Sequence, residues 1–181
     1  MKILLASPLY PPDIAEPAPY VKELARRLDA TDHVTVLAYT RTPESVPGVR
    51  VIAVGKRYPL PIRILVYSLR LFGAALGADV LYAENGTSVE LPAALIALIT
   101  RIRFIFHIGD DAAHQWAESS RARRIIEHFA SSQAKEVLRS KPLPRPEILP
   151  FVPYPTEAFA AYERSWDEHV ALLEKIFHGK K

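Results

Sequence analysis

Short runs of apolar and β-branched residues alternate with stretches of helical spacing, and this alternation constrains the fold more than any other feature. Five such runs predict strands, at residues 2–6, 33–39, 49–54, 79–83 and 103–108. Between them, residues 20–28, 62–76 and 91–99 carry the spacing of helices. Strands that alternate with helices form a mostly parallel sheet covered by helices on both faces. The sequence therefore predicts an α/β protein with one doubly wound parallel sheet.

The composition excludes several classes of protein. Hydrophobic residues make up 49% of the 181 residues and charged residues 24%, so disorder is not expected. The chain has no cysteine, which excludes disulfides and thiolate metal sites, and we expect no metal ion. A net charge of +3 does not indicate a nucleic-acid partner. No apolar run has membrane-spanning length and no signal peptide is visible, so we expect a cytoplasmic protein.

The second half of the chain predicts shorter elements and then a long helix. Residues 112–129 are predicted to be helical with a break at 119–120, followed by a strand at 130–132, a helix at 133–139 and a strand at 147–149. Residues 140–155 hold six of the 16 prolines and predict an extended connector. The last helix is expected to begin at Thr156 or Ser165, because Trp166, Val170, Leu173, Ile176 and Phe177 follow at helical spacing. We assign residues 1–155 and the helix of 156–181 to one domain.

Three loops follow strands of the predicted sheet and are candidate sites, because ligands of such sheets bind at the carboxyl ends of the strands. The first, residues 7–17, has no Gly-x-Gly-x-x-Gly motif, so we expect no dinucleotide cofactor. The second, residues 84–88, opens a helix and could hold an anion or a sugar hydroxyl, although such a segment taken alone is more often a plain capped turn. The third, residues 106–111, joins a histidine to two carboxylates, although a lone histidine is usually structural.

Several segments resemble one enzyme family. Residues 2–6, the motif Tyr-Pro-Pro-Asp-Ile at 10–14 and residues 20–28 are similar to the opening of the large retaining, family-4-like group of GT-B glycosyltransferases, which use nucleotide sugars. Residues 79–86, 103–110 and 130–138 are similar to later segments of the same domain. The resemblance implies the Rossmann-like, acceptor-side half of a GT-B fold, with the last helix packing back on it.

The resemblance also assigns roles to residues. His107 matches the family's cleft histidine and, with Asp110, is the candidate catalytic pair. The candidate acceptor-binding residues are Asn85, Gly86, Thr87, Ser88 and Gly109. A sugar or a lipid-linked molecule is the acceptor that this implies.

Two departures from the family pattern point to a chain that is inactive alone. The loop that approaches the donor phosphate in the family matches Asp13, Ile14, Ala15 and Glu16, but the usual glycine pair is replaced by Ala15 and Glu16. A Cβ and a carboxylate there would obstruct and repel phosphate. In addition, residues 150–155 lead almost directly into a segment, 162–170, that resembles the family's final helix, where a donor domain is expected first. A separate donor-domain chain, or self-association, is the partner that this implies.

Other functions stay open at this stage. A non-enzymatic α/β scaffold or interaction module is the main alternative, and the change to Ala15 and Glu16 favours it. A receiver-like or flavodoxin-like domain is poorly supported, because the acidic cluster or phosphate loop of such domains is not apparent in this sequence. Lys56, Arg57, Arg63 and Arg70 around the helix of 62–76 could contact lipid headgroups in a peripheral way, but a core-facing helix with ordinary arginines is the preferred interpretation.

Overall fold

A computed structural model describes residues 1–139, 143–148 and 156–179. Six parallel strands form one sheet in the order β3-β2-β1-β4-β5-β6. The strands are β1 Lys2–Ser7, β2 His33–Tyr39, β3 Arg50–Val54, β4 Val80–Glu84, β5 Arg103–Ile108 and β6 Glu136–Arg139. The helices are α1 Ala18–Leu28, α2 Leu60–Ala75, α3 Thr87–Thr100, α4 Asp111–Glu118, α5 Arg121–Gln133 and α6 Thr156–Phe177. The predicted α/β class and the single doubly wound sheet are confirmed.

The sheet buries a different set of side chains on each face, because successive residues of a strand point to opposite sides. Ile3 and Leu5 of β1 belong to the core cluster that contains α1 and α6. Leu4 and Ala6 belong to the cluster that contains α2, α3 and α5. Both faces of the central strands are therefore apolar, which is why their sequences show continuous apolar runs instead of alternation.

The C-terminal helix packs back on the first face of the sheet, as expected. Trp166, Leu173 and Phe177 of α6 are fully buried, and Val170 is 9% exposed. Arg27 of α1 donates to Glu163 at 2.7 Å and lies 5.3 Å from the centre of the Trp166 ring. Apolar burial and this charged contact together fix α6 against α1.

Three predicted elements were wrong. The strand expected at 130–132 is the end of α5, and the helix expected at 133–139 contains the edge strand β6. Glu147 and Ile148 form no strand, and Leu149 and most of the proline-rich connector lie outside the described residues. Helix α3 begins at Thr87 instead of Leu91, so Pro92 lies inside the helix. The break near Ser119 is as predicted, and the last helix begins at Thr156, the first of its two expected starts.

Candidate functional site

A cavity of 610 Å³ opens at the carboxyl edge of the sheet. Its walls come from the end of β2, the loops after β1, β3, β4 and β5, and helices α2 to α5. Eight of the residues singled out in the sequence line it: Glu16, Lys56, Arg63, Asn85, Gly86, Thr87, Ser88 and Asp110. The other candidate site residues do not line it: Asp13, Ile14, Ala15, His107 and Gly109. The volume is within the range of small-molecule sites in proteins.

Asn85 joins two of the loops that form the cavity. Its side-chain Nδ2 donates to the carbonyl of Asp110 at 2.8 Å, and its Oδ1 accepts from the amide of Asp110 at 3.0 Å. The Asp110 side chain in turn accepts from the amides of Ala112 and Ala113 and caps α4. Asn85 is 1% exposed, so its side chain serves first to hold the Asp110 loop beside the cavity.

Helix α3 begins at the cavity wall. Gly86 precedes it with a φ of 149°, and a Cβ there would lie 3.1 Å from Pro8, so glycine is required. The N-cap residue Gly86 has no side chain to cap the helix, and its amide donates to the Glu90 carboxylate of the first turn at 2.6 Å. Pro92 cannot donate to the carbonyl of Ser88, and the Tyr39 hydroxyl, another part of the wall, donates to that carbonyl at 3.1 Å. The positive end of α3 therefore faces the cavity at Thr87 and Ser88.

The loop after β1 is held by ion pairs at both ends. Asp13 pairs with Lys56 at 2.8 Å, and Glu16 pairs with Arg145 at 3.0 Å. Ile14 is 93% exposed. The Ala15 carbonyl accepts from the amide of Ala18 at the start of α1. The carboxylate of Glu16 thus lies in the cavity wall with a cation beside it.

His107 lies in a buried polar network on the face of the sheet that carries α1 and α6. Its Nδ1 is 2.5 Å from the Tyr82 hydroxyl and 3.2 Å from Glu84 Oε1, and Tyr82 donates to the same oxygen at 2.8 Å. Tyr82 and Glu84 are two residues apart on β4 and so share a face, to which His107 of β5 also points. This alternation separates the fully buried His107 from the cavity.

Arg145 completes this network and reaches the cavity edge. It forms ion pairs with Glu84 and Glu16 and lies over the Tyr20 ring, 4.5 Å from its centre. Burial raises the pKa of the Glu84 carboxyl, but the Arg145 guanidinium and the His107 ring outweigh it, so the pKa lies below its ordinary value. A Cβ at Gly109 would collide with the Arg145 guanidinium, which explains the glycine there.

His169 of α6 joins the network from the helix side. Its Nε2 lies 2.8 Å from the Tyr20 hydroxyl, within hydrogen-bond distance, and burial above all raises the pKa of that hydroxyl. Burial, together with His107 and Arg145, lowers the pKa of His169 to about 4. Sequence analysis missed Tyr20, Arg145 and His169 as polar partners, because no motif marks residues that meet only in the fold.

A smaller polar cluster joins α4 to α5. His114, Glu118 and Glu127 place one possible ligand atom each within 4.8 Å of the others. His114 Nδ1 lies 2.9 Å from Glu127, and Glu118 pairs with Arg124 at 3.4 Å. Each of the three side chains thus has a partner within the protein. Among the described helices, none is both long and apolar enough to cross a membrane.

Comparisons with known proteins agree with this architecture. Residues 16–141 match the model of the glycosyl transferase 4-like domain. The Anabaena protein HepE, solved in complex with UDP and glucose, is similar over 76% of this chain and 37% of its own, with 18% identity and a TM-score of 0.54. The UDP-GlcNAc 2-epimerase of Methanocaldococcus jannaschii is similar over 76% of this chain and 38% of its own, with 14% identity and a TM-score of 0.51. No curated protein matches the sequence.

The fold and the family match together define the class of this protein as a Rossmann-like half of the GT-B type. The chain belongs to the glycosyl transferase 4-like domain family, whose model covers more than half of it. It spans about 37% of the length of HepE.

Proposed function

We propose that this domain is the acceptor-side half of a nucleotide-sugar-dependent glycosyltransferase. The observation that carries the proposal is the cavity at the carboxyl edge of the sheet, which is bordered by Asn85, Gly86, Thr87, Ser88 and Asp110 in a chain of this family. Asp110 lines the cavity at the start of α4, which its side chain caps, and it is the group proposed to contact a sugar hydroxyl. The loop of residues 13–16 lies at the same edge, where a donor phosphate would approach.

His107 is proposed to act at one remove from the sugar. Its backbone carbonyl accepts from the amide of Asn85 at 3.0 Å, and Asn85 holds Asp110. The ring is fixed by Tyr82 and Glu84, so the whole edge from β4 to the Asp110 loop is rigid. In this proposal His107 is a positioning residue, and Asp110 meets the acceptor.

We further propose that the 181-residue chain transfers no sugar alone. Residues 7–17 contain no glycine, and phosphates need a close backbone approach or a cluster of donors. HepE, which has a similar fold, was solved with UDP, and the matched region covers 37% of its chain.

The test adds a complementary part from a protein of similar fold. The purified chain is incubated with UDP-glucose and simple glycosides, alone and with the part of HepE that lies outside the matched region. We expect turnover only in the mixture, and a loss of at least about 10-fold with Asp110→Asn, which keeps the helix cap but removes the charge. His128→Ala, an exposed histidine on α5, is the matched control and should leave turnover unchanged.

Two outcomes contradict the proposal. Turnover by the chain alone would refute the claim of inactivity. If no mixture turns over and the chain binds no glycoside in calorimetry, the non-enzymatic scaffold is the better interpretation.

A further inference from the structure

The charges that line the cavity are not balanced. Two carboxylates line the wall: Glu16 pairs with Arg145, and Asp110 accepts from two amides at the start of α4. Three cations line the cavity as well: Lys56, Arg63 and Arg123. Of these, Lys56 pairs with Asp13. Within the described part of the chain, Arg63 and Arg123 have no carboxylate partner. The cavity therefore holds an excess of positive charge.

Both of these arginines are held in place by aromatic rings of the same cavity. The guanidinium of Arg63 lies 5.3 Å from the centre of the Tyr39 ring, and its buried Nε has no hydrogen-bond partner among the described residues. The guanidinium of Arg123 lies 3.3 Å from the centre of the Trp116 ring. Stacking orders an arginine without neutralising it, and a planar guanidinium binds phosphate oxygens in pairs.

The remainder of the cavity wall is largely apolar. Leu60 and Ile64 of α2, Leu91 of α3 and Ile126 of α5 line it beside Trp116, whose side chain is 58% exposed. Along α2 and at its C-cap, exposed apolar side chains recur at intervals of three and four residues: Ile62, Leu65, Leu69, Phe72 and Leu76. Helix α2 buries Tyr67, Leu71 and Ala75 on its opposite side, so this exposed stripe is additional to its core contacts. A polar sugar alone leaves such a wall uncovered.

We infer that the cavity binds an amphipathic anion, in which the arginines Arg63 and Arg123 hold a phosphate and the apolar wall holds a hydrocarbon segment. The inference rests on the proposed function in one respect: it takes the bound molecule to be the acceptor and names the chemical class of that acceptor.

The test measures binding to the full 181-residue chain without any sugar donor. Trp116 lines the cavity and is exposed, whereas the second tryptophan, Trp166, is fully buried under α6. Tryptophan fluorescence is therefore followed while decyl phosphate, inorganic phosphate or the uncharged decyl maltoside is added below its micelle concentration. We expect decyl phosphate to bind at least about 10-fold more tightly than either of the other two, because only it satisfies both parts of the site.

A pair of double variants separates the site from general charge attraction. Arg63→Gln/Arg123→Gln should weaken the binding of decyl phosphate by about 10-fold or more, since charged hydrogen bonds are lost. Arg70→Gln/Arg124→Gln removes the same charge from the same two helices at exposed positions outside the cavity, and should leave the affinity unchanged. Circular dichroism checks that both variants fold.

Each contrary result overturns a named part of the inference. Equal binding of inorganic phosphate shows that the apolar wall contributes nothing, and equal binding of decyl maltoside shows that the arginines select no anion. An equal loss in the two double variants shows unspecific attraction. The comparison of the double variants requires that both variants fold. The comparison of the three ligands uses the unchanged chain, and it decides the inference even if a variant does not fold. Because no donor is present, failure here leaves the transfer assay of the proposed function as a separate result.

Discussion

At the scale of single residues, the buried network around His169 makes the stability of this protein depend on pH. The pKa of His169 falls from its ordinary value of 6.5 to about 4 in the fold, mainly through burial and then through His107 and Arg145, while Glu84 acts in the opposite sense. The folded protein therefore binds fewer protons at this site than the unfolded chain does. The contribution of His169 is complete above pH 6.5 and is lost as the pH falls toward 4.

This predicts a loss of stability of up to about 3 kcal/mol between pH 6.5 and 4 from this one side chain. Urea unfolding at several pH values measures it. In His169→Gln the free energy of unfolding should fall less between pH 6.5 and 4, by about that amount, although the absolute stability is lower. His33→Gln, an exposed histidine at the start of β2, should keep the original slope. A His169→Gln curve parallel to the parent curve would disprove the assignment.

Gly109 provides a second prediction at this scale. A methyl group at this position would displace the Arg145 guanidinium and leave the buried Glu84 carboxylate poorly paired. We expect Gly109→Ala to reduce the free energy of unfolding by about 1–3 kcal/mol. Gly73→Ala is the matched change, because a Cβ there meets nothing within 4 Å and alanine suits a helix interior. It should be neutral or stabilising; equal effects of the two changes would contradict the role of Gly109.

Among the candidate site residues, sequence reasoning placed the loops better than the side chains. The segment from Asn85 to Ser88 and Asp110 do meet at one cavity, because parallel strands end at a common edge. The separation of His107 from that cavity depends on which face of β5 it occupies, and this could not be deduced from a short strand that is apolar on both faces around it. The catalytic and binding roles of these residues stay predictions.

At the scale of elements, α6 is the part whose docking is easiest to measure. Leu173 is fully buried and its neighbour Leu172 is 43% exposed, on the same helix and of the same chemistry. Leu173→Ala should reduce the free energy of unfolding by about 2–5 kcal/mol through lost burial and the cavity that remains. Leu172→Ala should change it by roughly 0.5 kcal/mol or less. Similar losses in chemical denaturation would mean that α6 does not dock as described.

The elements that sequence analysis placed correctly are those with long, strongly patterned segments. Strands β2 and β5 have the predicted bounds, and α1 and α2 differ by two residues at their starts. Strand β6 was missed because its four residues, Glu136–Arg139, include good helix formers and lie at the edge of the sheet. Only pairing with β5, where Phe106 lies opposite Val137, makes this segment a strand. Such a long-range contact overrides local preference.

At the scale of the whole molecule, the two faces of the sheet divide the work of the protein. Each face has an apolar core, but the α1 and α6 face also holds the buried polar network, whereas the α2, α3 and α5 face borders the cavity. Arg145 connects them, since it contacts Glu84 in the network and Glu16 in the cavity wall. A change in the loop of residues 13–16 should therefore affect both the stability of the domain and any partner that approaches this edge.

The double variant Ala15→Gly/Glu16→Gly tests this coupling. Removing the Glu16 carboxylate leaves Arg145 with Glu84 alone, and removing both Cβ atoms opens the backbone to a phosphate. We expect a lower melting temperature, because each glycine costs roughly 0.5–1 kcal/mol in added chain entropy. We also expect more transfer than the parent chain gives when both are mixed with the complementary part of HepE.

A second double variant makes the result specific to this loop. Thr42→Gly/Ser45→Gly introduces two glycines at exposed positions of the loop after β2, outside the cavity wall, and should lower the melting temperature without raising transfer. If Ala15→Gly/Glu16→Gly gains no more transfer than this control, residues 13–16 do not lie near the donor phosphate. The proposed position of the donor at this edge of the sheet is then wrong, because a carboxylate and two Cβ atoms in the path of a phosphate cannot be removed without effect.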